Sequence, residues 1–279
     1  MLSAAQSTLR DTLVLTGTAC VFFLALAEWR YLRFWSQGIR RSVGAFIGFS
    51  LLLALIFPVL FFGAGLGAGA PVEPLLHRAL KLVFSFVQLT LFGSIFLGAA
   101  LSQSEGRHTP PLFAASAHNG GEWLFDVSLA VLGCLLWTGV WLYIAGHLFE
   151  AETSQELFER FNRESPLSRD IRRFALWIEI LFIAPLLEEI IFRGFLMGQL
   201  LLFVPKHLRE RPAAQWGAIF GVTLLFCVLH TGQIDPAWVK WIQIFGIGVL
   251  LGWIRFRQGL GAAVVVHLLF NLLGFVTVR

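Results

Sequence analysis

The sequence predicts an all-α polytopic membrane protein with about eight transmembrane helices and a polar cavity in its C-terminal half. Of its 279 residues, 57% are hydrophobic and only 14% are charged, which is typical of a membrane protein. Apolar runs long enough to cross a bilayer alternate with short polar connectors. The cavity is expected because Glu188, Glu189 and Arg193 interrupt one of these runs.

The first 149 residues are predicted to form an N-terminal membrane part. Its four apolar runs are Thr12–Ala27, Val43–Leu66, Leu82–Leu101 and Val127–Phe149. Residues 102–126 are predicted to be a loop, because they are polar and contain Pro110 and Pro111. The next 24 residues, 150–173, are the most charged segment. Their acids and arginines interleave with apolar residues, which favours an amphipathic helix on the membrane surface over a solvated connector.

Residues 174–279 are predicted to form a C-terminal helical core that contains the polar cavity. Its four apolar runs are Phe174–Val204, Ala213–His230, Trp238–Trp253 and Leu260–Val278. Pro185 lacks an amide hydrogen, so a kink or a loosened turn is expected in the first of these runs. Arg255 and Arg257 are expected to end the third run, Trp238–Trp253. Glycines 246, 248 and 252 favour close helix packing. Arginine-rich segments fall on both sides of the membrane in this scheme, so the orientation stays open.

The charge pattern excludes a nucleic-acid partner and favours the lipid bilayer. The formal net charge is +4, but the arginines cluster in short segments between apolar runs, as membrane-flanking charges do. The three cysteines, Cys20, Cys134 and Cys227, lie in apolar runs without metal-ligand spacing. They are therefore predicted to be small buried residues.

The first of three polar motifs is Glu188-Glu189-x-x-x-Arg193. A charge at the centre of a membrane helix costs about 2.5–3.5 kcal/mol on insertion scales, so three charges together need a reason. Glu189 and Arg193 are four residues apart and can pair on one helix face. This pair is interpreted either as a structural ion pair or as part of a site. Glu188 points about 100° away and is left available for chemistry.

The second and third motifs are Phe226-x-x-x-His230 and His267-x-x-x-Asn271. Taken alone, Phe226 is a packing residue and His230 an interfacial histidine at a helix end. His267 and Asn271 share one helix face and can act as hydrogen-bonding contacts between helices.

Together, these side chains are suited to attacking a carbonyl group with water, so the predicted cavity is expected to be an active site. A desolvated glutamate can serve as a general base, and a neighbouring histidine can orient the water. A histidine and an asparagine can donate hydrogen bonds to an oxyanion. Glu188, His230 and His267 could alternatively hold a zinc ion, although the usual HExxH helix is missing.

The three motifs, in this order on late membrane helices, resemble those of the CAAX-protease and bacteriocin-processing (CPBP, or ABI) family and are similar to those of the CAAX prenyl endopeptidases. The family pattern is EExxxR, then FxxxH, then HxxxN or HxxxD, and this sequence departs from it nowhere. The resemblance covers about residues 174–278. It implies an intramembrane endopeptidase that cleaves near the C-terminus of a membrane-associated or lipidated substrate.

The resemblance also implies roles for the motif residues. Glu188 would activate the hydrolytic water with help from His230, and His267 with Asn271 would form the oxyanion hole. The supporting residues would be Glu189, Arg193 and Phe226. A glutamate-type mechanism without a cofactor is favoured over a zinc-dependent one. The expected partner is a membrane-anchored peptide or protein, and the expected location is a multi-pass membrane position, in the inner membrane if the source is bacterial.

Two other functions are compatible with buried charges in membrane helices. One is a non-proteolytic immunity or scaffold protein of the same fold, which a missing motif residue would have favoured. The other is a proton- or ion-coupled transporter, in which the charges form a relay. The sequence shows no inverted repeat, which disfavours the transporter.

Overall fold

The structure is a computed structural model that describes residue 25 and residues 36–67, 72–106, 120–149, 152–153, 178–230 and 234–277. Seven helices cover most of these residues, which confirms the predicted all-α polytopic membrane fold. In chain order the helices are α1 (Gln37–Gly67), α2 (Val72–Gly106), α3 (Gly120–Leu148), α4 (179–202), α5 (Pro212–Leu229), α6 (Ala237–Gln258) and α7 (Leu260–Thr277). A short 3-10 turn, Lys206–Leu208, connects α4 to α5.

Five of the described helices, α1, α2, α3, α5 and α6, are long and apolar enough to cross a membrane. The apolar part of α7 is shorter, at Leu260–Gly274. Large apolar side chains such as Leu55, Val59 and Phe84 point outward, as expected for surfaces that face lipid. Two short strands, β1 (Glu152–Thr153) and β2 (Ile234–Asp235), pair antiparallel beside the ends of α3 and α5.

Two predicted segments lie outside the described residues. These are the predicted first helix, Thr12–Ala27, apart from Ala25, and the charged segment 150–173, apart from β1.

Helices extend into both ends of the predicted loop at residues 102–126, because α2 continues to Gly106 and α3 already begins at Gly120. Residues 107–119 of that segment lie outside the described residues. The polar residues at the end of α2 fit a helix: Ser104 donates its hydroxyl hydrogen to the carbonyl of Leu101 at 2.9 Å. At the start of α3, Glu122 lies in the first turn, where an acidic side chain interacts favourably with the helix dipole.

The end of α6 corrects a second prediction. Arg255 and Arg257 do not end the helix but lie in its last turn, where cations stabilise the dipole. The helix ends instead at Gly259, whose φ of 88° is readily adopted only by glycine. The carboxylate of Asp126, buried in α3, accepts hydrogen bonds from Arg257 Nε at 2.6 Å and from the side-chain amide of Gln258. These contacts hold the end of α6 against α3.

Helix α4 packs among the other helices and changes between π and α geometry three times. It consists of a π-helical segment (Glu179–Ile183), an α segment (Ala184–Glu189), a second π segment (Ile190–Leu196) and a final α segment (Met197–Leu202). The first π segment ends at Ile183, two residues before Pro185 and close to the loosened turn that the proline predicts. Helix α4 contacts α2, α5 and α7, and α6 in turn packs against α3, α5 and α7. Polar side chains on the inner face of α4 are therefore surrounded by helices.

Candidate active site

The pair predicted on α4 is present and completely buried. Arg193 Nη1 lies 2.9 Å from Glu189 Oε1, and neither side chain is exposed. The guanidinium also lies 4.4 Å above the centre of the Phe226 ring, a cation–π contact between α4 and α5. Its Nη2 atom lies 3.5 Å from the carbonyl oxygen of Gly248 on α6. One arginine on α4 thus contacts both α5 and α6.

His267 brings α7 to the same carboxylate. Its Nδ1 atom lies 2.8 Å from Glu189 Oε1. An ionised carboxylate only accepts hydrogen bonds, so Nδ1 carries the hydrogen in this contact. The buried Glu189 therefore joins α4 to α7 and fixes the orientation of the imidazole ring, much as a carboxylate orients a catalytic histidine.

Glu188 differs from Glu189 in its exposure and in its neighbours. Its side chain is 26% exposed, whereas that of Glu189 is fully buried. Glu188 Oε1 lies 3.6 Å from His230 Nε2, and Glu188 Oε2 lies 3.8 Å from His267 Nε2. Each oxygen of the accessible carboxylate thus faces one imidazole nitrogen.

The histidine on α5 is held by its own helix. His230 Nδ1 lies 2.8 Å from the carbonyl oxygen of Phe226, which can only accept, so Nδ1 is the donor. The Nε2 atom is left facing Glu188. The Phe226 ring packs 4.2 Å from the His230 ring and 6.5 Å, edge-on, from the His267 ring. Phe226 therefore contacts Arg193 and both histidines and restricts their movement.

The structure joins six of the seven predicted site residues in one network, formed by Glu188, Glu189, Arg193, Phe226, His230 and His267. Asn271 follows His267 by one turn of α7, and its described hydrogen bond goes elsewhere. Its Nδ2 atom donates to the carbonyl oxygen of Ile180, on the first π segment of α4, at 3.0 Å.

Two backbone contacts around Arg193 were not predicted as part of the site. The carbonyl oxygen of Gly248 accepts from the Arg193 guanidinium. The carbonyl oxygen of Arg193 accepts from Arg255 Nε at 3.3 Å. The sequence indicates only a packing role for Gly248 and a flanking charge for Arg255. No sequence pattern marks a residue whose contribution is a backbone contact with a distant helix.

Gly248 offers a test of how closely α5 and α6 must pack. A Cβ atom at this position would lie 2.7 Å from the side chain of Thr223, a β-branched residue that cannot easily move aside. We expect Gly248→Ala to reduce stability by about 1–3 kcal/mol, as overpacked helix contacts do, and to shift the carbonyl that contacts Arg193. Thermal unfolding in detergent measures this effect.

The matched control is Gly139→Ala in α3, where no atom lies within 4 Å of an added Cβ. This variant should unfold at the wild-type temperature or slightly above it, because alanine favours helix more than glycine does. Equal unfolding temperatures for the two variants would show that the α5–α6 contact is not tight.

Within the described ranges, no group of three or more His, Cys, Asp or Glu side chains is arranged to hold a metal ion. The residues that could be zinc ligands, Glu188, His230 and His267, face one another at 3.6 and 3.8 Å.

One family model matches the chain, that of the Rce1-like type II CAAX prenyl endopeptidases, over residues 171–273. The matched segment is less than half of the chain, but it contains all three motifs. The match confirms the family resemblance that the motifs predicted and, at the level of the family, indicates a CAAX-type intramembrane endopeptidase. No curated protein and no solved structure matches the chain.

Proposed function

From this match over residues 171–273, we propose that the protein hydrolyses a peptide bond near the C-terminus of a membrane-associated or lipidated substrate, with Glu188 as the general base. The observation that carries the proposal is the position of Glu188. Its carboxylate is partly accessible and faces two imidazole nitrogens at 3.6 and 3.8 Å. The neighbouring Glu189 is buried and occupied by Arg193 and His267, so it is not available for the reaction.

The hydrolytic water is proposed to bind between Glu188 and His230. Their separation of 3.6 Å is longer than a direct hydrogen bond of about 2.7–3.2 Å, and one water can contact both groups at such a distance. Because His230 donates through Nδ1 to Phe226, its neutral ring accepts at Nε2. His230 can therefore accept one hydrogen from the water while Glu188 accepts the other, which directs an oxygen lone pair toward the substrate.

The charges of the network suggest a different role for His267. Glu188 and Glu189 carry two negative charges when ionised, and Arg193 carries one positive charge. A proton on His267 makes the group neutral, which lowers the cost of holding it within the membrane. The ring then donates through Nδ1 to Glu189 and through Nε2 toward the site. An Nε2 hydrogen in this position can stabilise the oxyanion that forms on the substrate carbonyl.

The reaction proposed on this arrangement conserves protons. Glu188 takes a proton from the water as the water oxygen bonds to the carbonyl carbon, and the carbonyl oxygen becomes an oxyanion that His267 stabilises. When this tetrahedral intermediate collapses, the C–N bond breaks and Glu188 returns the proton to the leaving amine. The products are a shortened peptide with a new carboxylic acid, whose proton passes to the released amine or to solvent, and a released C-terminal fragment.

The proposal is tested with purified protein in liposomes and a peptide that carries a lipid on a cysteine near its C-terminus. We expect cleavage on the C-terminal side of the anchored residue. The control is the same peptide without the lipid, which should be cleaved more slowly because it does not concentrate in the bilayer. Liposomes that take up protons but cleave neither peptide would contradict the proposal and favour the transporter alternative.

A further inference from the structure

We infer that Asn271 is a positioning residue whose amide replaces the backbone donor that Pro185 lacks, and that it thereby holds the π turn of α4 that precedes Glu188. The inference deepens the proposed function and rests on it for its catalytic consequence. Its structural part, the coupling of Asn271 to Pro185, stands independently of any reaction.

The first observation is the hydrogen-bond register of the π segment. In this segment each amide donates to the carbonyl five residues earlier, and Ala184 donates to Glu179 in this way. The next donor in the same register would be residue 185, and its acceptor would be Ile180. Because residue 185 is proline, it has no amide hydrogen, and the carbonyl of Ile180 loses its helical partner.

The second observation is that a side chain from another helix supplies the missing donor. Asn271 Nδ2 lies 3.0 Å from the carbonyl oxygen of Ile180, within the normal range for an N–H···O bond. Without this contact, the carbonyl would lack the donor that its own helix would otherwise supply. The asparagine amide on α7 therefore completes the backbone hydrogen bonding of α4.

The consequence reaches Glu188 through the geometry of the helix. A π turn holds one more residue than an α turn, so closing it would rotate all following residues by about 100° relative to those before it. Glu188 lies three residues beyond Pro185 and faces His230 and His267 only in its present rotation. Asn271 lies one turn from His267 on α7, so one helix both carries a histidine of the network and holds the π turn that precedes the carboxylate.

This role can be distinguished from that of an oxyanion donor. An oxyanion donor acts on the substrate, so removing it should reduce the rate equally whatever residue occupies position 185. A positioning residue that compensates for Pro185 should become dispensable when residue 185 regains an amide hydrogen. Pro185→Ala restores this hydrogen. It also removes the rest of the proline ring, but this loss occurs with and without Asn271 and therefore cancels in a double-mutant cycle.

The experiment is a double-mutant cycle of Asn271→Leu and Pro185→Ala in the full-length protein. Thermal unfolding is measured first, because it needs no substrate, and kcat and KM for a lipid-anchored peptide are measured second. In the wild-type background, Asn271→Leu should lower the unfolding temperature and reduce kcat by roughly tenfold, with little change in KM. In the Pro185→Ala background, the same substitution should change both quantities much less.

Equal losses in the two backgrounds would overturn the inference and return Asn271 to a direct role at the substrate. If Asn271→Leu alone does not fold, folding of the double variant supports the inference, and failure of both variants contradicts it. If the wild-type protein cleaves no peptide, the proposed function fails, but the unfolding temperatures still decide whether Asn271 and Pro185 are coupled.

Discussion

Glu188→Gln is expected to reduce kcat for a membrane-anchored peptide by about 10²–10⁴-fold, the usual contribution of a general base. Glutamine keeps the size of the side chain and one oxygen acceptor, but it cannot take a proton from water. The Glu188 oxygens lie 3.6 and 3.8 Å from the histidine nitrogens, which is too far for a direct hydrogen bond. The variant should therefore fold like the wild type. Initial cleavage rates, compared at equal amounts of folded protein, measure the effect.

Glu179→Gln provides a matched control on the same helix. Glu179 also lies in α4, but its carboxylate accepts a hydrogen bond from Ser85 Oγ at 2.9 Å, which a glutamine oxygen can also accept. We expect this variant to cleave at close to the wild-type rate. Similar rates for Glu188→Gln and the wild type would show that Glu188 is not the base.

Arg193→Met is expected to be the most destabilising of the substitutions considered. It removes the guanidinium that pairs with the fully buried Glu189 at 2.9 Å and leaves a carboxylate inside the bundle without its main partner. Removing one partner of a buried ion pair lowers the free energy of unfolding by about 3–5 kcal/mol, which exceeds the net contribution of most single contacts. The expected result is a lower unfolding temperature and a smaller fraction of monodisperse protein in detergent.

The double variant Glu189→Gln/Arg193→Met separates the loss of charge balance from the loss of packing. Both charges are removed together, and the glutamine oxygen can still accept from His267 Nδ1, which lies 2.8 Å from the present carboxylate. The double variant should therefore recover much of the stability lost in Arg193→Met. If it is no more stable than the single variant, the arginine acts mainly by filling space between Phe226 and Gly248.

The sequence predicted the side chains of the network because its motifs follow the period of a helix. Glu189 and Arg193 share one face at four-residue spacing, and Glu188 projects from another direction. The order of the motifs could not show that α4, α5 and α7 meet, since that depends on how the helices pack. The family resemblance supplied this expectation, and the contacts of Glu188 with His230 and His267 agree with it.

Other features could not be read from the sequence for physical reasons. Pro185 predicted a loosened turn, but its π form depends on Asn271, a residue of another helix that supplies the missing donor. The second π segment, around Arg193, has no proline to signal it. The extension of α6 past Arg255 was missed because arginines that flank a membrane helix and arginines in its last turn look alike in sequence.

The most direct test of the central claim is cleavage of a membrane-anchored peptide library by the purified wild-type protein, with and without a metal chelator, with the products identified by mass spectrometry. If Glu188 activates the water with the histidines and without a metal, peptides are cut near their C-termini at the same rate in both conditions. Loss of cleavage in the chelator, with recovery on adding zinc, would contradict this mechanism and assign Glu188, His230 and His267 to a metal centre.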